Sequence, residues 1–309
     1  MNKLTKAGIA GLFLSLTAVL ASCGSSSETS SDTVAVTADV FPVTVGDLTL
    51  DAQPTRIISL SPTATEMLYA IGAGSQVVAV DEYSNYPAEA VALGTPLSGF
   101  EPNIEAISGY TPDLVIISYD PGSLVEQLST LDIPVFVAGA AMSIENVYEQ
   151  IEQLGVLTGN SQKAVEVSKS LQTGIEDAVA SVQFSEPPLS YYYELDNTYY
   201  SVTSNTFIGQ IFNLFGMRNI ADNVESGNDY PQLSAEVIVS ADPDFIFLAD
   251  TKCCAQDATT VAARDGWGGL KAVTANQVVE LDDDVASRWG PRVLELITAI
   301  RDAVVAANS

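Results

Sequence analysis

Two groups of side chains in this 309-residue chain have types that could do chemistry: its three cysteines, and a set of aromatic residues in predicted loops. The chain contains no histidine, which removes the commonest general base and the commonest transition-metal ligand. The sequence has no Walker loop, no G-x-S-x-G motif and no zinc-protease motif. Its 39 acidic residues are typical of a solvated surface, and a carboxylate pair that hydrolyses glycosides stays open as an alternative.

Aromatic residues recur in loops that are predicted to follow strands. They lie in the sequences DEYSNYP, LSGFEPN, ISYDPG, NDYPQLS and ASRWGPR, and include Tyr83, Phe100, Tyr119, Tyr230 and Trp289. In open α/β sheets, loops at the carboxyl ends of strands form the ligand site. Rings from both halves of the chain indicate a large flat or ring-rich ligand held between two faces. The alternative is that each ring fills the core of its own half.

Two of the cysteines, Cys253 and Cys254, are adjacent. Adjacent Cα atoms lie about 3.8 Å apart, closer than the roughly 4.4–6.8 Å usual for a disulfide, so a bond between them would be strained. In an oxidising compartment we still favour a vicinal disulfide over free thiols. A two-thiolate metal site would lack a third ligand of the usual kind, and a catalytic thiol would lack a histidine base.

The start of the chain predicts export. Two lysines precede an apolar stretch from Ala7 to Leu20. Such a helix would reach ~21 Å, short of a hydrocarbon core of ~30 Å. Residues 1–22 are therefore interpreted as a signal peptide, with an uncleaved single-span anchor as the alternative.

The residues at the end of this segment resemble a lipobox. The sequence LASC, ending at Cys23, is similar to the acylation site of bacterial lipoproteins, which implies that Cys23 carries lipid. Residues 23–44 then form a flexible, serine-rich tether. We expect the protein to be exported and held by lipid at the extracytoplasmic face of the cell membrane.

Charge and length limit the partners and the architecture. The net charge of -27 repels nucleic-acid phosphates, so no nucleic-acid partner is expected. The chain is 47% hydrophobic and longer than the size at which one core usually splits, which favours two lobes. Lys252, Arg264 and Arg288 lie near predicted loops of the second half, where they could bind an anionic ligand or pair with surface acids.

Short apolar runs that alternate with helical patterns predict the elements that position these residues. The predicted strands are 56–61, 76–81, 113–118, 134–139, 190–195, 244–249 and 277–282. The predicted helices are 63–74, 103–110, 122–131, 207–216, 233–241, 259–267 and 291–307. The strands are short and mostly β-branched, as in buried parallel sheets. The alternation indicates an α/β fold.

An amphipathic stripe between the two halves predicts one long connecting helix. It covers 158–183, between an N-terminal α/β lobe of 45–157 and a C-terminal α/β lobe of 184–309. The predicted fold is two Rossmann-like lobes with parallel sheets, joined by a single rigid helix. A ligand cleft is expected between the lobes.

Two glutamates occupy matching places in the halves. Glu105 precedes PDLVIIS and Glu236 precedes PDFIFLA, each just after a helix N-cap residue. A carboxylate in the first turn of a helix stabilises that helix through its dipole, which is the simplest explanation for both. The matched spacing suggests two lobes of related design.

The ordered motifs resemble a known family. RIISLSPTATEMLYAIGAGSQVVAVDEYSNYPAEA, GFEPNIEAISGYTPDLVIIS, DYPQLSAEVIVSADPDFIFLA and ASRWGPRVLELI are similar to the helical-backbone substrate-binding proteins of ABC importers. That family takes up cobalamin, iron-siderophores and haem. The Tyr-Ser-x-Tyr-Pro and Pro-Gln-x-Ser-x-Glu runs are most similar to the cobalamin binders.

The resemblance implies roles for particular residues. Tyr83, Tyr119 and Tyr230 match cleft aromatics, and Phe100 lies one residue from such a position. Arg288 and Trp289 fall in a loop that carries ligand contacts in the cobalamin binders. Cys253 and Cys254 depart from the pattern of those binders.

The resemblance also implies a docking role for the matched glutamates. Glu105 and Glu236 correspond to the pair that binds arginines on the permease.

The resulting hypothesis is a lipid-anchored, monomeric receptor without enzymatic activity. It would deliver a metal chelate, bound as transported ligand and not as a cofactor, to an ABC permease and its ATPase. One alternative is an extracytoplasmic carboxylate-based hydrolase on the same scaffold. Another is a sensory lipoprotein without a permease.

Overall fold

The computed structural model describes residues 39–308, which contain two separate parallel sheets. The strands are β1 Val43–Val45, β2 Leu48–Leu50, β3 Ile57–Leu60, β4 Val77–Val80, β5 Leu114–Ile117, β6 Val135–Val137, β7 Ser190–Glu194, β8 Arg218–Asn219, β9 Phe245–Leu248 and β10 Val278–Glu280. The helices of the N-terminal half are α1 Pro62–Ala70, α2 Ala88–Val91, α3 Ile104–Gly109, α4 Leu124–Ser129 and α5 Ile144–Thr158. They are followed by α6 Ser161–Ala180, α7 Phe207–Asn213, α8 Ala235–Ala241, α9 Ala258–Ala262, α10 Lys271–Thr274, α11 Asp283–Ser287 and α12 Val293–Ala307.

The N-terminal sheet has the order β4-β3-β5-β6, and every pairing in it is parallel. The residues of β3 and β5 are all buried, as expected for apolar strands with both faces covered. This order places β4, β3 and β5 side by side. The loops that leave their carboxyl ends therefore start next to one another.

The C-terminal sheet has the order β10-β9-β7-β8 and is also parallel. Its core is aromatic, because β7 contributes three consecutive buried tyrosines. Tyr191 stacks on Phe212 with ring centroids 4.1 Å apart, and Phe212 meets Phe247 edge-on at 4.8 Å. Offset and edge-on aromatic pairs of this kind add stability beyond the area that they bury.

The chain passes from one sheet to the other once, through α5 and α6. Helix α6 packs against α5 on one side and against α12 on the other. Gly174 permits the second contact, because a Cβ atom there would lie 2.7 Å from Cδ2 of Leu294. The C-terminal helix therefore braces the connecting helix.

The predicted fold class is confirmed, and each predicted strand coincides with an observed one. The predicted connecting helix is too long at both ends, since the helix itself spans Ser161–Ala180. Thr158 ends α5, and Gly159 adopts a left-handed conformation (φ 73°) that separates the two helices. Seven elements of the described region were not predicted: strands β1, β2 and β8 and helices α2, α5, α10 and α11.

The folded region begins earlier than expected. The tether was predicted to reach residue 44, yet β1 starts at Val43 and pairs with β2 in an antiparallel hairpin. Asp39 also accepts a hydrogen bond (3.0 Å) from the backbone N–H of Ser161 at the start of α6. The predicted signal peptide, the acylated Cys23 and most of the tether lie outside the described residues. Among residues 39–308, no helix has the length and apolar character needed to cross a membrane.

Candidate functional site

Three of the predicted ligand-binding aromatics lie together at the carboxyl edge of the N-terminal sheet. Tyr83 and Phe100 meet edge-on with ring centroids 5.5 Å apart, and Phe100 lies 6.2 Å from Tyr119. Their exposed fractions are 53%, 62% and 44%, so none of the three rings fills the core. We call Tyr83, Phe100 and Tyr119 the aromatic triad.

Backbone geometry explains how the triad is assembled. Tyr83 follows β4 and Tyr119 follows β5, the two strands that flank β3. Phe100 crosses the end of β3 between them, and Gly99 makes this possible. A Cβ atom at Gly99 would lie only 2.8 Å from the carbonyl oxygen of Leu60, the last residue of β3. A larger residue at position 99 would therefore lift the Phe100 loop away from the sheet.

Tyr230 is equally exposed (54%) but lies in the C-terminal half. Its backbone N–H donates to Oδ1 of Asn228 (2.9 Å). The preceding Asp229 accepts hydrogen bonds from Thr203 (2.7 Å) and Asn205 (3.0 Å), and these bonds lower the pKa of its carboxyl. Among the described residues, Tyr230 makes no ring contact with the triad.

Arg288 is tied to protein groups instead of facing open solvent, with only 10% of its side chain exposed. Its Nη1 donates to Glu66 and Asn85, each at 2.8 Å. Its Nη2 donates to the carbonyl of Tyr83 (3.0 Å) and to Asp284 (2.7 Å). Each terminal nitrogen of the guanidinium group thus donates two hydrogen bonds to protein groups. A direct ligand contact from Arg288 stays a prediction, and these four bonds argue against it.

Trp289 is half-buried and packs against the main hydrophobic core. Its indole N–H donates to Oε1 of Gln150 on α5 (3.1 Å). The ring therefore links the C-terminal segment to α5. A ligand contact from Trp289 stays a prediction.

The matched glutamates lie in equivalent first helical turns. Glu105 is in α3, which Asn103 caps by accepting from the backbone N–H of Ala106 (2.9 Å), and Glu236 is in α8, which Ser234 caps. Both side chains are exposed, and neither forms an ion pair with another residue of 39–308. The backbone N–H of Glu236 lowers the pKa of its own carboxyl group, with a further contribution from the Ser234 hydroxyl.

The adjacent cysteines are free thiols, so the favoured vicinal disulfide is corrected. The short spacing of adjacent Cα atoms is the physical reason, because it would strain the bond. Desolvation of the thiol, the neighbouring Cys254 thiol and nearby carboxylates raise the pKa of the exposed Cys253 to about 12. It is therefore protonated near neutral pH and a poor nucleophile.

Sequence reasoning missed a buried polar cluster in the C-terminal half. Glu194, fully buried at the end of β7, accepts from both terminal nitrogens of Arg264 at 2.5 and 2.7 Å. Asp250 is also fully buried, after β9, and no donor reaches either of its carboxylate oxygens. Burial and the nearby Glu194 raise the pKa of Asp250 to about 7, so this carboxyl group is largely protonated below neutral pH.

The cluster does not indicate a metal site. Within residues 39–308, no group of three or more cysteine or acidic side chains is arranged to hold a metal ion.

A groove of about 1210 Å³ lies elsewhere, between α1 and α12, where Tyr69 and Leu294 line it. This groove is lined by none of Tyr83, Phe100, Tyr119 and Tyr230, so it is separate from the predicted aromatic site.

The two-lobed fold with exposed aromatics at a sheet edge defines a class of ligand-binding proteins. The family profile described as "Periplasmic binding protein" matches residues 57–285, which is more than half of the chain. The chain therefore belongs to the periplasmic binding protein family.

Individual relatives agree with this assignment. The chain is 30% identical to the ABC transporter substrate-binding lipoprotein YvrC of Bacillus subtilis, over 97% of each chain. It is 32% identical to a cobalamin-binding protein of Halobacterium salinarum, over 85% of this chain and 74% of that protein. A solved structure, the periplasmic vitamin B12 binding protein of Vibrio cholerae, is similar with a TM-score of 0.67 and 28% identity, covering 83% of this chain and 98% of that one.

Proposed function

We propose that this protein is the extracytoplasmic substrate-binding component of an ABC importer. We propose further that its ligand is a metal chelate. Cobalamin is the first candidate, and haem or an iron-siderophore is the second. Membership of the periplasmic binding protein family supports the role of receptor. The relatives named for cobalamin or vitamin B12 support the choice of ligand class.

The observation that carries the proposal is the exposure of the triad. Tyr83, Phe100 and Tyr119 leave a contiguous aromatic surface at the sheet edge where α/β proteins bind ligands. A contiguous apolar surface on a soluble protein commonly marks a binding site. The face of a planar macrocycle could cover all three rings at once. Tyr230 would approach the same ligand from the other lobe.

The enzyme alternative has less support. The family and the named relatives are binding proteins, and the sequence contains neither a G-x-S-x-G motif nor a zinc-protease motif. The clearest buried carboxyl pair, Glu194 with Asp250, is fully buried and so has no access to a substrate. We therefore propose binding without turnover.

Delivery requires a membrane partner, for which the matched glutamates are our candidates. Glu105 and Glu236 are exposed, lack ion-pair partners within 39–308, and lie in equivalent places on the two lobes. We propose that they pair with basic residues of the permease. Cys23 is proposed as the acylated anchor, and the receptor is proposed to act as a monomer.

The proposal is tested by titrating the purified protein with cyanocobalamin, haem and a ferric hydroxamate siderophore, using calorimetry and native mass spectrometry. We expect one equivalent of a single chelate class to bind and to be recovered unchanged. Phe100→Ala and Tyr230→Ala should each cost roughly 1–3 kcal/mol of binding free energy.

Phe184→Ala is the matched control, because Phe184 is as exposed (57%) but precedes β7 and so lies at the amino side of its strand. We expect this variant to bind like the parent. If Phe100→Ala, Tyr230→Ala and Phe184→Ala all bind with the parent affinity, the aromatic edge is not the ligand site. If the recovered chelate is chemically altered, the protein is an enzyme.

A further inference from the structure

A buried carboxylate joins the two halves of the chain. Glu66 on α1 has 1% of its side chain exposed and accepts from two arginines of the C-terminal segment. Arg288 donates to its Oε1 at 2.8 Å, and Arg292 donates to Oε1 and Oε2 at 2.7 and 2.9 Å. The side chains of the two arginines are 10% and 15% exposed, so the contact is largely shielded from water. We call Glu66, Arg288 and Arg292 the brace.

The brace also holds the loop of 81–87, which carries Tyr83 of the triad. Nη2 of Arg288 donates to the carbonyl oxygen of Tyr83 (3.0 Å), and Nη1, which also binds Glu66, donates to Oδ1 of Asn85 (2.8 Å). The guanidinium carbon of Arg292 lies 4.3 Å from the centroid of the Tyr86 ring, a cation–π contact. Three residues of one loop are thus held by two side chains from the other half of the chain.

Arg288 contacts this loop through the backbone of Tyr83 and the polar side chain of Asn85, and not through the Tyr83 ring. The ring of Tyr83 itself is left 53% exposed and touches Phe100. The position of that ring therefore depends on where its backbone is fixed. A bidentate guanidinium group fixes position better than a point charge does, because its donors have a rigid planar geometry.

We propose that Arg288 and Arg292, anchored by Glu66, are positioning residues of the ligand site, which set the place of Tyr83 and link it to the arrangement of the two lobes. This inference rests on the proposed function, since it assumes that the triad binds the ligand. It gives Arg288 a role different from ligand contact: the residue acts through Tyr83.

The test is a double-mutant cycle between Arg288→Lys and Tyr83→Ala, with cyanocobalamin binding measured by calorimetry. Lysine keeps the charge beside Glu66 but loses the fork that reaches Tyr83 and Asn85. We expect Arg288→Lys to weaken binding about tenfold in the parent, and by less than about twofold in Tyr83→Ala. Equal losses in both backgrounds would overturn the proposal, because a ligand-contacting or merely structural arginine acts independently of Tyr83.

Arg301→Lys is the matched control. Arg301 lies on α12, pairs with Asp302 and donates no hydrogen bond to the loop of 81–87, so its replacement should leave affinity unchanged. Hydrogen exchange in the ligand-free protein supplies a second measurement. Arg288→Lys should accelerate exchange of the amides of 82–86, and Arg301→Lys should not.

The two readouts separate the inference from the proposed function. If the parent binds none of cyanocobalamin, haem and the siderophore, the proposed function fails, and exchange alone then decides whether Arg288 holds the loop. Unchanged exchange at 82–86 in Arg288→Lys would overturn the positioning role whatever the ligand proves to be.

Discussion

The fully buried Asp250 makes the stability of this protein depend on pH in a direction opposite to that of most aspartates. Burial, followed by repulsion from Glu194, raises the pKa of Asp250 to about 7 from its ordinary 3.8. Arg264 opposes this rise, and Asp283 adds to it. The native protein therefore keeps a proton that the unfolded chain releases above pH 3.8. Stability should fall as pH rises from about 4 to 7, and then level off.

The magnitude follows from the pKa difference of about 3, at about 1.4 kcal/mol for each pKa unit, which gives an upper limit of ~4 kcal/mol. Between pH 4.5 and pH 8, the free energy of unfolding should fall by about 3 kcal/mol through the titration of Asp250. Asp250→Asn removes the titration and keeps a side chain of nearly the same size. We expect the variant to gain about 3 kcal/mol relative to the parent between these two pH values.

Urea unfolding at pH 4.5, 6 and 8 measures this difference, and subtracting parent from variant cancels the other titrating groups. Asp265→Asn is the control, because it removes an exposed carboxylate outside the cluster. A difference between parent and Asp250→Asn that stays constant across pH would refute the raised pKa of Asp250. A difference that changes in the opposite direction would show that Asp250 is ionised in the native state.

Other consequences are equally direct. Glu105→Lys and Glu236→Lys should leave ligand affinity intact but sharply reduce uptake in cells, and normal uptake by the double variant at matched protein levels would exclude docking through these residues. Cys23→Ala should move the protein from the membrane fraction to the soluble fraction, whereas continued membrane retention with an uncleaved leader would contradict the lipid anchor. Gly209→Ala should lower the unfolding free energy by more than about 2 kcal/mol in urea titrations, because its Cβ would overlap the carbonyl of Thr203; parent-like stability would show that the backbone shifts freely there.

The sheets could be predicted because their strands carry a strong local signal. Runs such as IISL in β3 and FIFL in β9 are apolar and short, and both are fully buried. Helix α5 carried an equally readable signal in its buried stripe of Val147, Ile151 and Leu154. It could have been predicted. Strand β8 could not, since it comprises only Arg218 and Asn219 and depends on bonds from Asn219 to Tyr191 and Val202.

The candidate site was predictable only in part. Its aromatic residues directly follow strands, whereas the side chains that hold the Tyr83 loop come from distant parts of the chain. A position after a strand is a local property, and it indicated Tyr83 and Tyr119 correctly as exposed residues of the sheet edge. Three partners of Arg288, namely Glu66, Tyr83 and Asn85, lie more than 200 residues earlier in the chain. No local pattern links such distant residues. A glutamate inside the apolar helix sequence PTATEMLYA was the one available signal of a buried ion pair.

Calorimetric titration of the purified protein with cyanocobalamin, repeated with Phe100→Ala, tests the central claim most directly. The proposed function predicts saturable binding of one equivalent, recovery of unchanged cobalamin, and an affinity that Phe100→Ala lowers by roughly 5- to 150-fold. Parallel titrations with haem and a ferric siderophore show whether a protein that does not bind cobalamin binds another of these chelates or none of them. Absence of binding for all three, or binding that Phe100→Ala leaves unchanged, would contradict the assignment of the aromatic edge as a chelate receptor site.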